Sequence, residues 1–379
     1  MKIVIFGLSI SSSWGNGHAT LWRGLCKALN RLGHRVVFFE ANRPYYAAAR
    51  DWRPTDGTQL VLYDGWWSTL ERTVRELLDA DVAIVTSYCA DAIAACEQIR
   101  DIPHVLSVFY DLDTPITLAR LEAREHVPYL GPNGLRDYEL VLSFTGGSAL
   151  SQLQSRLGAR RVAPLYGHAD PELHRPTAPV DRYRADLSYL GTYAADRQAA
   201  LERLFIAPAR SRPALRFVMG GAQYPDSFPW SSNVYFVRHL PPYEHAAFFS
   251  SSRLTLNVTR EAMARFGWCP SGRLFEAAAC RTAIVSDAWP GLTEFYAPAD
   301  QVLLANTTDA ALGALDTSDA QLAVIARRAY ERTLDEHTSA HRARQLLAIL
   351  EDAASLPARP LPASPRATAW PASRIDLRT

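Results

Sequence analysis

The stretch Lys2-Ile3-Val4-Ile5-Phe6-Gly7 decides the fold, because it is a short apolar run that stops at a glycine. A helical pattern follows at residues 18–32, and a second apolar run follows at residues 35–39. Continuous apolar runs flanked by helical patterns are typical of strands that are buried on both faces of a parallel sheet. Residues 2–39 therefore predict a strand–helix–strand unit of the Rossmann-like type.

The same alternation continues along most of the chain. Further strand-like runs lie at residues 60–63, 82–86, 104–109 and 140–144, and then at residues 186–190, 216–219, 234–237, 254–257 and 283–286. Residues 164–179 contain four prolines and little periodicity, so they separate the two series. The sequence predicts an α/β fold in which two Rossmann-like domains face a central cleft and the C-terminal helix returns to the N-terminal domain.

The pattern sets the expected domain limits. We expect an N-terminal domain at residues 1–170, a C-terminal domain at residues 171–336 and a terminal helix at residues 337–356. Residues 357–379 are rich in proline, alanine, serine and arginine and bury too little apolar surface to order themselves. This last stretch is predicted to be a flexible tail.

Composition excludes several functional classes. The 379 residues contain 40 Lys and Arg against 39 Asp and Glu, so no basic field points to nucleic acid. The five cysteines are odd in number and include no C-x-x-C pair, which favours reduced thiols over a disulfide framework or a zinc site. No apolar run reaches the roughly 18–20 residues that a membrane-spanning helix needs. We therefore expect a cytoplasmic protein without a membrane span.

Residues 271–276 form the most informative motif. Ser271 is a good N-cap residue, and a helix is expected to begin at Gly272. Free N–H groups at a helix start attract an anion, and Arg273 can pair with a phosphate. The carboxylate of Glu276 can accept hydrogen bonds from two ribose hydroxyls. An ordinary strand–helix unit with a surface glutamate is the alternative.

Three other turns follow predicted strands, where ligands bind in open α/β sheets. The first turn contains the candidate binding residues Gly191, Thr192, Tyr193 and Arg197. The second turn contains Asn257 and Arg260, and the third contains Gly291 and Leu292 before a helix start. Arginines in such turns can pair with a diphosphate. The alternative for each turn is a plain connection between a strand and a helix.

The N-terminal half offers candidate acid–base groups. The loop at residues 7–18 is rich in glycine and serine but lacks the G-x-G-x-x-G spacing of a dinucleotide-binding dehydrogenase. His18 at its end is a candidate base or phosphate ligand, with helix capping as the alternative. Asp111 and Asp113 follow a predicted strand and are candidates for the base or for an acceptor contact. We assign no metal, because two carboxylates without further ligands rarely suffice.

Together these segments resemble the CgeB-like family of two-domain glycosyltransferases. The resemblance is carried by residues 257–260, 269–280, 286–287 and 291–292, and it extends to residues 14–18, 109–115, 143–147, 189–193 and 337–338. It implies that the C-terminal domain holds a nucleoside diphosphate sugar, with UDP, GDP and TDP all open. It also implies that the N-terminal domain holds the acceptor.

The resemblance implies roles for the motif at residues 271–276. Glu276 would contact the ribose, while Arg273 and the helix start would hold the diphosphate. Two positions depart from the pattern. Many retaining enzymes carry a second glutamate eight residues before the ribose glutamate, but here that position is Trp268, so the stereochemical outcome stays open. Arg281 stands where the family usually has a glycine at the helix end.

The sequence thus predicts a hexosyltransferase-like glycosyltransferase that needs no cofactor or metal. Arg273, Arg260 and Arg197 are expected to stabilise the leaving diphosphate. If the enzyme inverts, His18 or Asp111 is the expected base, with Asp113 as a further catalytic candidate. The acceptor hydroxyl is open among glycan, lipid, protein and small molecule. A nucleotide-sugar epimerase and a catalytically silent nucleotide-binding protein are the alternatives.

Overall fold

The computed structural model describes residues 1–355, so the predicted tail at residues 357–379 lies outside the described residues. A first parallel sheet organises the N-terminal half. Its strands are β1 Lys2–Gly7, β2 Arg35–Ala41, β3 Thr58–Tyr63, β4 Val82–Thr86, β5 Leu106–Asp111, β6 Leu140–Ser143 and β7 Val162–Pro164. The seven strands lie in the order β3-β2-β1-β4-β5-β6-β7.

A second parallel sheet organises the C-terminal half. Its strands are β8 Ala185–Leu190, β9 Phe217–Gly221, β10 Val234–Arg238, β11 Ser252–Asn257, β12 Ala283–Ser286 and β13 Leu303–Leu304. The six strands lie in the order β10-β9-β8-β11-β12-β13. The strand order reverses between β1 and β4 in the first sheet and between β8 and β11 in the second. Open α/β sheets bind ligands at the carboxyl ends of the strands beside such a reversal.

Helices cover both faces of each sheet. Around the first sheet lie α1 His18–Arg31, α2 Pro44–Ala47, α3 Trp66–Leu78, α4 Ala92–Arg100, α5 Thr114–Glu122 and α6 Ser148–Leu157. The later helices are α7 Gln198–Leu201, α8 Ala207–Ser211, α9 Pro242–Ser250, α10 Glu261–Phe266, α11 Gly272–Ala279, α12 Thr308–Leu315, α13 Asp319–Glu336 and α14 Ser339–Ser355. Residues 195–206 form no single regular helix, because a 3₁₀ turn, α7 and a π-helical turn follow one another there.

The last helix returns to the first sheet. Leu346 and Leu350 of α14 share a buried cluster with Trp22 and Leu25 of α1 and with strand residues of the first sheet. Burial of the apolar face of α14 therefore completes a core that begins at the other end of the chain. This confirms the predicted two-domain α/β fold with a returning helix.

The chain crosses between the two sheets twice, and the two crossings are hydrogen-bonded to each other. The amide N–H of Ala169 donates to the carbonyl of His337 at 3.0 Å, and the amide N–H of Ser339 donates to the carbonyl of Ala169 at 2.8 Å. The two segments that connect the sheets thus run side by side and are joined by backbone hydrogen bonds. No helix within residues 1–355 combines the length and the apolar character that crossing a membrane requires.

Candidate functional site

A cleft of about 510 Å³ lies where the loops after the strands of the two sheets face each other. Its volume is in the range of small-molecule sites, roughly 300–1,000 Å³. The sequence-predicted residues that line it are His18, Asp113, Gly191, Thr192, Tyr193, Arg197, Arg260, Ser271, Gly272, Arg273 and Glu276. Among the lining residues, Asp113 and Glu276 are the only carboxylates.

Arg273 is held against the end of β8. Its Nε donates to the carbonyl of Leu190, its Nη1 donates to Oδ1 of Asn257 at 3.1 Å, and its guanidinium carbon lies 4.8 Å from the centre of the Tyr189 ring. Burial lowers the pKa of this guanidinium, but an arginine stays charged at every physiological pH. The side chain therefore presents a fixed cation to the cleft.

Arg197 approaches the same turn from the other side. Its Nη2 donates to the carbonyl of Thr192 at 2.7 Å, and its Nη1 donates to the hydroxyl of Tyr189 at 3.2 Å. Within residues 1–355 neither Arg197 nor Arg273 forms an ion pair with a carboxylate. Two cations without an ion-pair partner make this end of the cleft electropositive, which favours an anion.

Arg260 differs from these two arginines. Its Nε donates to the carboxylate of Asp196, with the closer oxygen at 3.0 Å. The ion pair offsets part of the charge of Arg260 before any ligand binds. Arg260 lines the cleft, so an anion that binds it has to displace the Asp196 carboxylate or share the guanidinium with it.

The start of α11 opens onto the same end of the cleft. The Oγ of Ser271 accepts a hydrogen bond from the amide N–H of Arg273 at 3.3 Å, which caps the helix as predicted. A Cβ on Gly272 would meet only Oε1 of Glu276 within 4 Å, at 3.8 Å. A ligand can therefore approach the backbone closely at this helix start, where the helix dipole favours an anion.

Glu276 lies one turn further into α11 and is enclosed by two histidines. Its Oε1 is 3.9 Å from Nε2 of His174, and its Oε2 is 3.3 Å from Nδ1 of His245. Burial raises the pKa of Glu276, but His174, His245 and Arg273 lower it by more, to about 2. The carboxylate is thus ionised and accepts hydrogen bonds only.

The N-terminal side of the cleft carries a histidine and a carboxylate. Nε2 of His18 lies 3.7 Å from Oδ2 of Asp113, at the starts of α1 and α5. Nδ1 of His18 has no hydrogen-bond partner within residues 1–355. The carboxylate can orient and stabilise the imidazole when the ring takes up a proton, as a general base requires.

Asp111 was expected to face the cleft, but the structure places it behind the lining residues. It is the last residue of β5 and is fully buried, and its Oδ1 accepts from the amide N–H of Asp113 at 3.1 Å. Burial raises the pKa of its carboxyl group to about 6. Asp111 supports the turn that carries Asp113 and does not contact the cleft.

Three other predicted binding residues also lie outside the lining. Asn257 is buried, accepts from Nη1 of Arg273 at 3.1 Å and donates to Oγ of Ser286 at 3.0 Å, so it fixes the arginine. Leu292 is buried in the core beneath the second sheet. Gly291 adopts a φ of 84° and packs against Trp268, where a Cβ would lie 2.6 Å from the indole. These three residues support the residues that line the cleft and do not line it themselves.

Trp268 lies at the contact between the N-terminal and C-terminal halves of the chain. Its carbonyl accepts from the amide N–H of Gly146 at 2.9 Å, and its indole Nε1 donates to Oε1 of Glu294 at 2.5 Å. A Cβ on Gly147 would lie 2.5 Å from the indole. The side chain does not line the cleft, so the position of the expected second glutamate supplies packing between the halves.

Sequence reasoning missed four histidines around the donor end of the cleft: His168, His174, His239 and His245. All but His174 line the cleft, and His174 lies directly behind Glu276. They come from the crossing segment, the loop after β10 and α9, with no shared spacing in the sequence. No local motif signals them, because only the fold brings these segments together.

Residues 197–348 match a family model described as glycosyl transferase-like. This range runs from α7 into α14 and covers most of the second sheet, including Arg260, Arg273 and Glu276. No curated protein sequence matches the chain.

Solved structures of glycosyltransferases share the whole fold. Sucrose-phosphate synthase from Thermosynechococcus elongatus is 14% identical, with a TM-score of 0.70 over 93% of this chain and 98% of that chain. Anabaena HepE with UDP and glucose is 14% identical, with a TM-score of 0.65 over 93% and 100%. An alpha-glucosyltransferase with UDP is 13% identical, with a TM-score of 0.68 over 93% and 100%. The chain therefore has the two-domain glycosyltransferase fold, and its later part is glycosyl transferase-like in sequence.

Proposed function

We propose that this protein is a glycosyltransferase that moves a sugar from a nucleoside diphosphate sugar to an acceptor hydroxyl. One observation carries the proposal: Arg197 and Arg273 converge on the cleft without acidic partners, beside the open start of α11. A diphosphate supplies the negative charge that these groups lack. The glycosyl transferase-like sequence of residues 197–348 supports the same function.

The leaving diphosphate explains why these groups stand together. Negative charge develops on it as the bond to the sugar breaks, and preorganised cations and N–H groups stabilise that charge. Arg197, Arg273 and the N–H groups that follow Ser271 lie at this end of the cleft. Arg260 joins them once its ion pair with Asp196 loosens. In this proposal the arginines and the helix start stabilise the leaving group without a metal ion.

The acceptor belongs to the opposite wall of the cleft in this proposal. We assign it to residues 1–170 and the donor to residues 171–336. His18, paired with Asp113, is the proposed base that takes the proton of the acceptor hydroxyl in an inverting reaction. Asp111 is buried behind Asp113 and is not retained as a base.

The finer assignments also belong to this proposal. Membership of the CgeB-like family rests on the sequence segments quoted above. UDP is the first nucleotide to test, because solved structures of this fold contain UDP. One alpha-glucosyltransferase of this fold was solved with UDP-glucose and DNA, so DNA belongs in the acceptor panel despite the balanced charge of this chain. We place the reaction in the cytoplasm, where the five free thiols stay reduced.

A thermal-shift panel with UDP, GDP, TDP and NAD tests the donor site. A ligand present at 100 times its Kd stabilises the folded protein by about 2.7 kcal/mol, which raises the melting temperature measurably. We expect one nucleoside diphosphate to raise it and NAD to leave it unchanged. Incubation with the matching nucleotide sugar then separates the enzyme classes: an epimerase changes the donor alone, and a silent binding protein releases no nucleotide with any acceptor. Either result contradicts the proposed transfer reaction.

A further inference from the structure

Three side chains from separate parts of the chain meet at the donor end of the cleft. Glu276 comes from α11, His245 from α9 and His174 from the crossing segment after β7. The two imidazole rings lie 5.9 Å apart at an angle of 29°, and each turns a nitrogen toward the carboxylate. Nε2 of His174 and Nδ1 of His245 have no hydrogen-bond partner in the described part of the chain, and each faces one oxygen of Glu276.

The hydrogen bonding of His174 fixes which nitrogen carries its proton. The amide N–H of Asp170 donates to Nδ1 of His174 at 3.3 Å, so this nitrogen keeps its lone pair. Burial lowers the pKa of His174 to about 4, so the ring is neutral at pH 7. A neutral imidazole with an accepting Nδ1 carries its hydrogen on Nε2. The Nε2–H of His174 therefore points its dipole at Oε1 of Glu276.

The Glu276 carboxylate needs such donors. Burial disfavours an ionised carboxylate unless N–H groups or cations face it. His174 approaches from behind, whereas His245 and the carboxylate both line the cleft. Two oxygens offer about four acceptor positions, so two N–H groups leave positions free for the hydroxyls of a ligand.

Two histidines and a glutamate also form a donor set that zinc accepts. The three ligand atoms lie within 4.8 Å of one another. A metal, however, needs the lone pair of Nε2 of His174, and the hydrogen bond from Asp170 leaves a proton on that atom. The arrangement therefore favours an N–H group of His174 that faces the carboxylate over a metal site.

We propose that His174 and His245 are positioning residues that hold the Glu276 carboxylate in place for the ribose hydroxyls of the donor. This inference rests on the proposed function, in which the cleft binds a nucleoside diphosphate sugar. The two N–H groups fix the rotamer of Glu276 before the donor arrives, so binding does not have to order it. In this proposal both histidines act through Glu276.

The test compares UDP with 2′,3′-dideoxy-UDP and with pyrophosphate by titration calorimetry. Hydrogen bonds to a carboxylate predict that wild type prefers UDP over the dideoxy compound by at least about tenfold. His245→Leu and Glu276→Gln should reduce this preference to about threefold or less, with pyrophosphate affinity unchanged. His245→Asn should keep the preference, because its amide N–H stands where Nδ1–H stood. His174→Gln should keep it for the same reason at Nε2.

The outcomes separate the two levels of the proposal. A wild-type protein that binds UDP with ribose preference, together with a His245→Leu variant that keeps this preference, overturns the positioning role alone. A wild-type protein without affinity for any nucleotide overturns the proposed function and this inference with it. Stoichiometric zinc bound by wild type and lost in His245→Leu overturns the hydrogen-bonding role. If His245→Leu does not fold, His245→Gln replaces it, because its longer side chain moves the amide away from the Nδ1 position.

Discussion

A Cβ placed on Gly191 would stand 2.7 Å from Nη2 of Arg273. The turn after β8 and the first turn of α11 are distant in the sequence but are in contact in the fold, so a larger side chain in one would displace the other. The absence of a side chain at Gly191 is what lets the guanidinium lie across the end of the strand. The cleft thus gains a cation whose position is set by a neighbouring backbone.

Gly191→Ala should weaken donor binding, because the methyl group displaces Arg273 and also meets the Tyr189 hydroxyl at 2.7 Å. Overpacking of this kind costs about 1–3 kcal/mol, which corresponds to binding that is weaker by about fivefold to 160-fold when the cost falls on the bound state. UDP titration calorimetry measures it. Gly313→Ala in α12 is the matched control, since no atom lies within 4 Å of its Cβ, and it should leave UDP affinity unchanged. Equal affinities for both variants would contradict the predicted coupling.

Arg273→Lys should reduce UDP affinity by about tenfold to a hundredfold. Lysine keeps the charge but loses the planar fork that reaches Leu190, Asn257 and a phosphate at once. Arg327→Lys is the control, because Arg327 forms an exposed ion pair with Glu331 on α13. Wild-type affinity in Arg273→Lys would remove this arginine from the diphosphate site.

His18→Ala should lower turnover by about 10²- to 10⁴-fold while UDP affinity stays within about threefold, because a general base acts on the acceptor and not on the nucleotide. Asp113→Asn should lower turnover in the same direction through the weakened partner of His18. Steady-state kinetics with saturating donor measure both. The exposed His126 provides the control substitution to alanine. Full turnover in His18→Ala would exclude it as the base and would favour a retaining reaction.

The contribution of Asp111 to the stability of the folded protein should decrease as pH rises. Its folded pKa of about 6 lies above the ordinary value of 3.8, so between these values the folded state binds more protons than the unfolded state. The stability that the neutral form gives is complete below pH 4 and is lost as pH rises through 6, a change of about 3 kcal/mol. Urea unfolding at pH 4, 5 and 7 should show this loss as a decrease, with rising pH, in the unfolding free energy of wild type relative to that of Asp111→Asn, because this difference cancels the titration of the buried histidines. The exposed Asp226→Asn variant should follow wild type, and parallel curves for all three proteins would contradict the prediction.

Much of the fold could be read from the sequence because buried parallel strands leave continuous apolar runs. The run at residues 2–6 became β1, and the helix expected at residues 272–279 is α11 with the predicted Ser271 cap. The π-helical turn Glu202–Ile206 leaves no comparable signal, because it changes the backbone bonding and not the apolar pattern.

The sequence predicted site residues correctly where a residue follows a strand directly. It could not predict how deeply a side chain is buried or which distant residues come into contact. Asp111 and Asp113 both lie at the end of the same apolar run. Asp111 is still part of β5 and is buried, whereas Asp113 lines the cleft. Nothing in the sequence pairs His174 with His245, which meet only because α9 and the crossing segment both pack beside α11. Contacts of this kind depend on the assembled fold.

The return of α14 to the first sheet has a consequence for biosynthesis. A ribosome makes the first sheet early, but Leu346 and Leu350, which cover Trp22 of α1, leave the exit tunnel only after the second sheet has been made. Nascent domains normally fold in the order of their synthesis. Here the half that is made first is finished last, so its apolar surface stays uncovered throughout translation and is open to chaperones during that time.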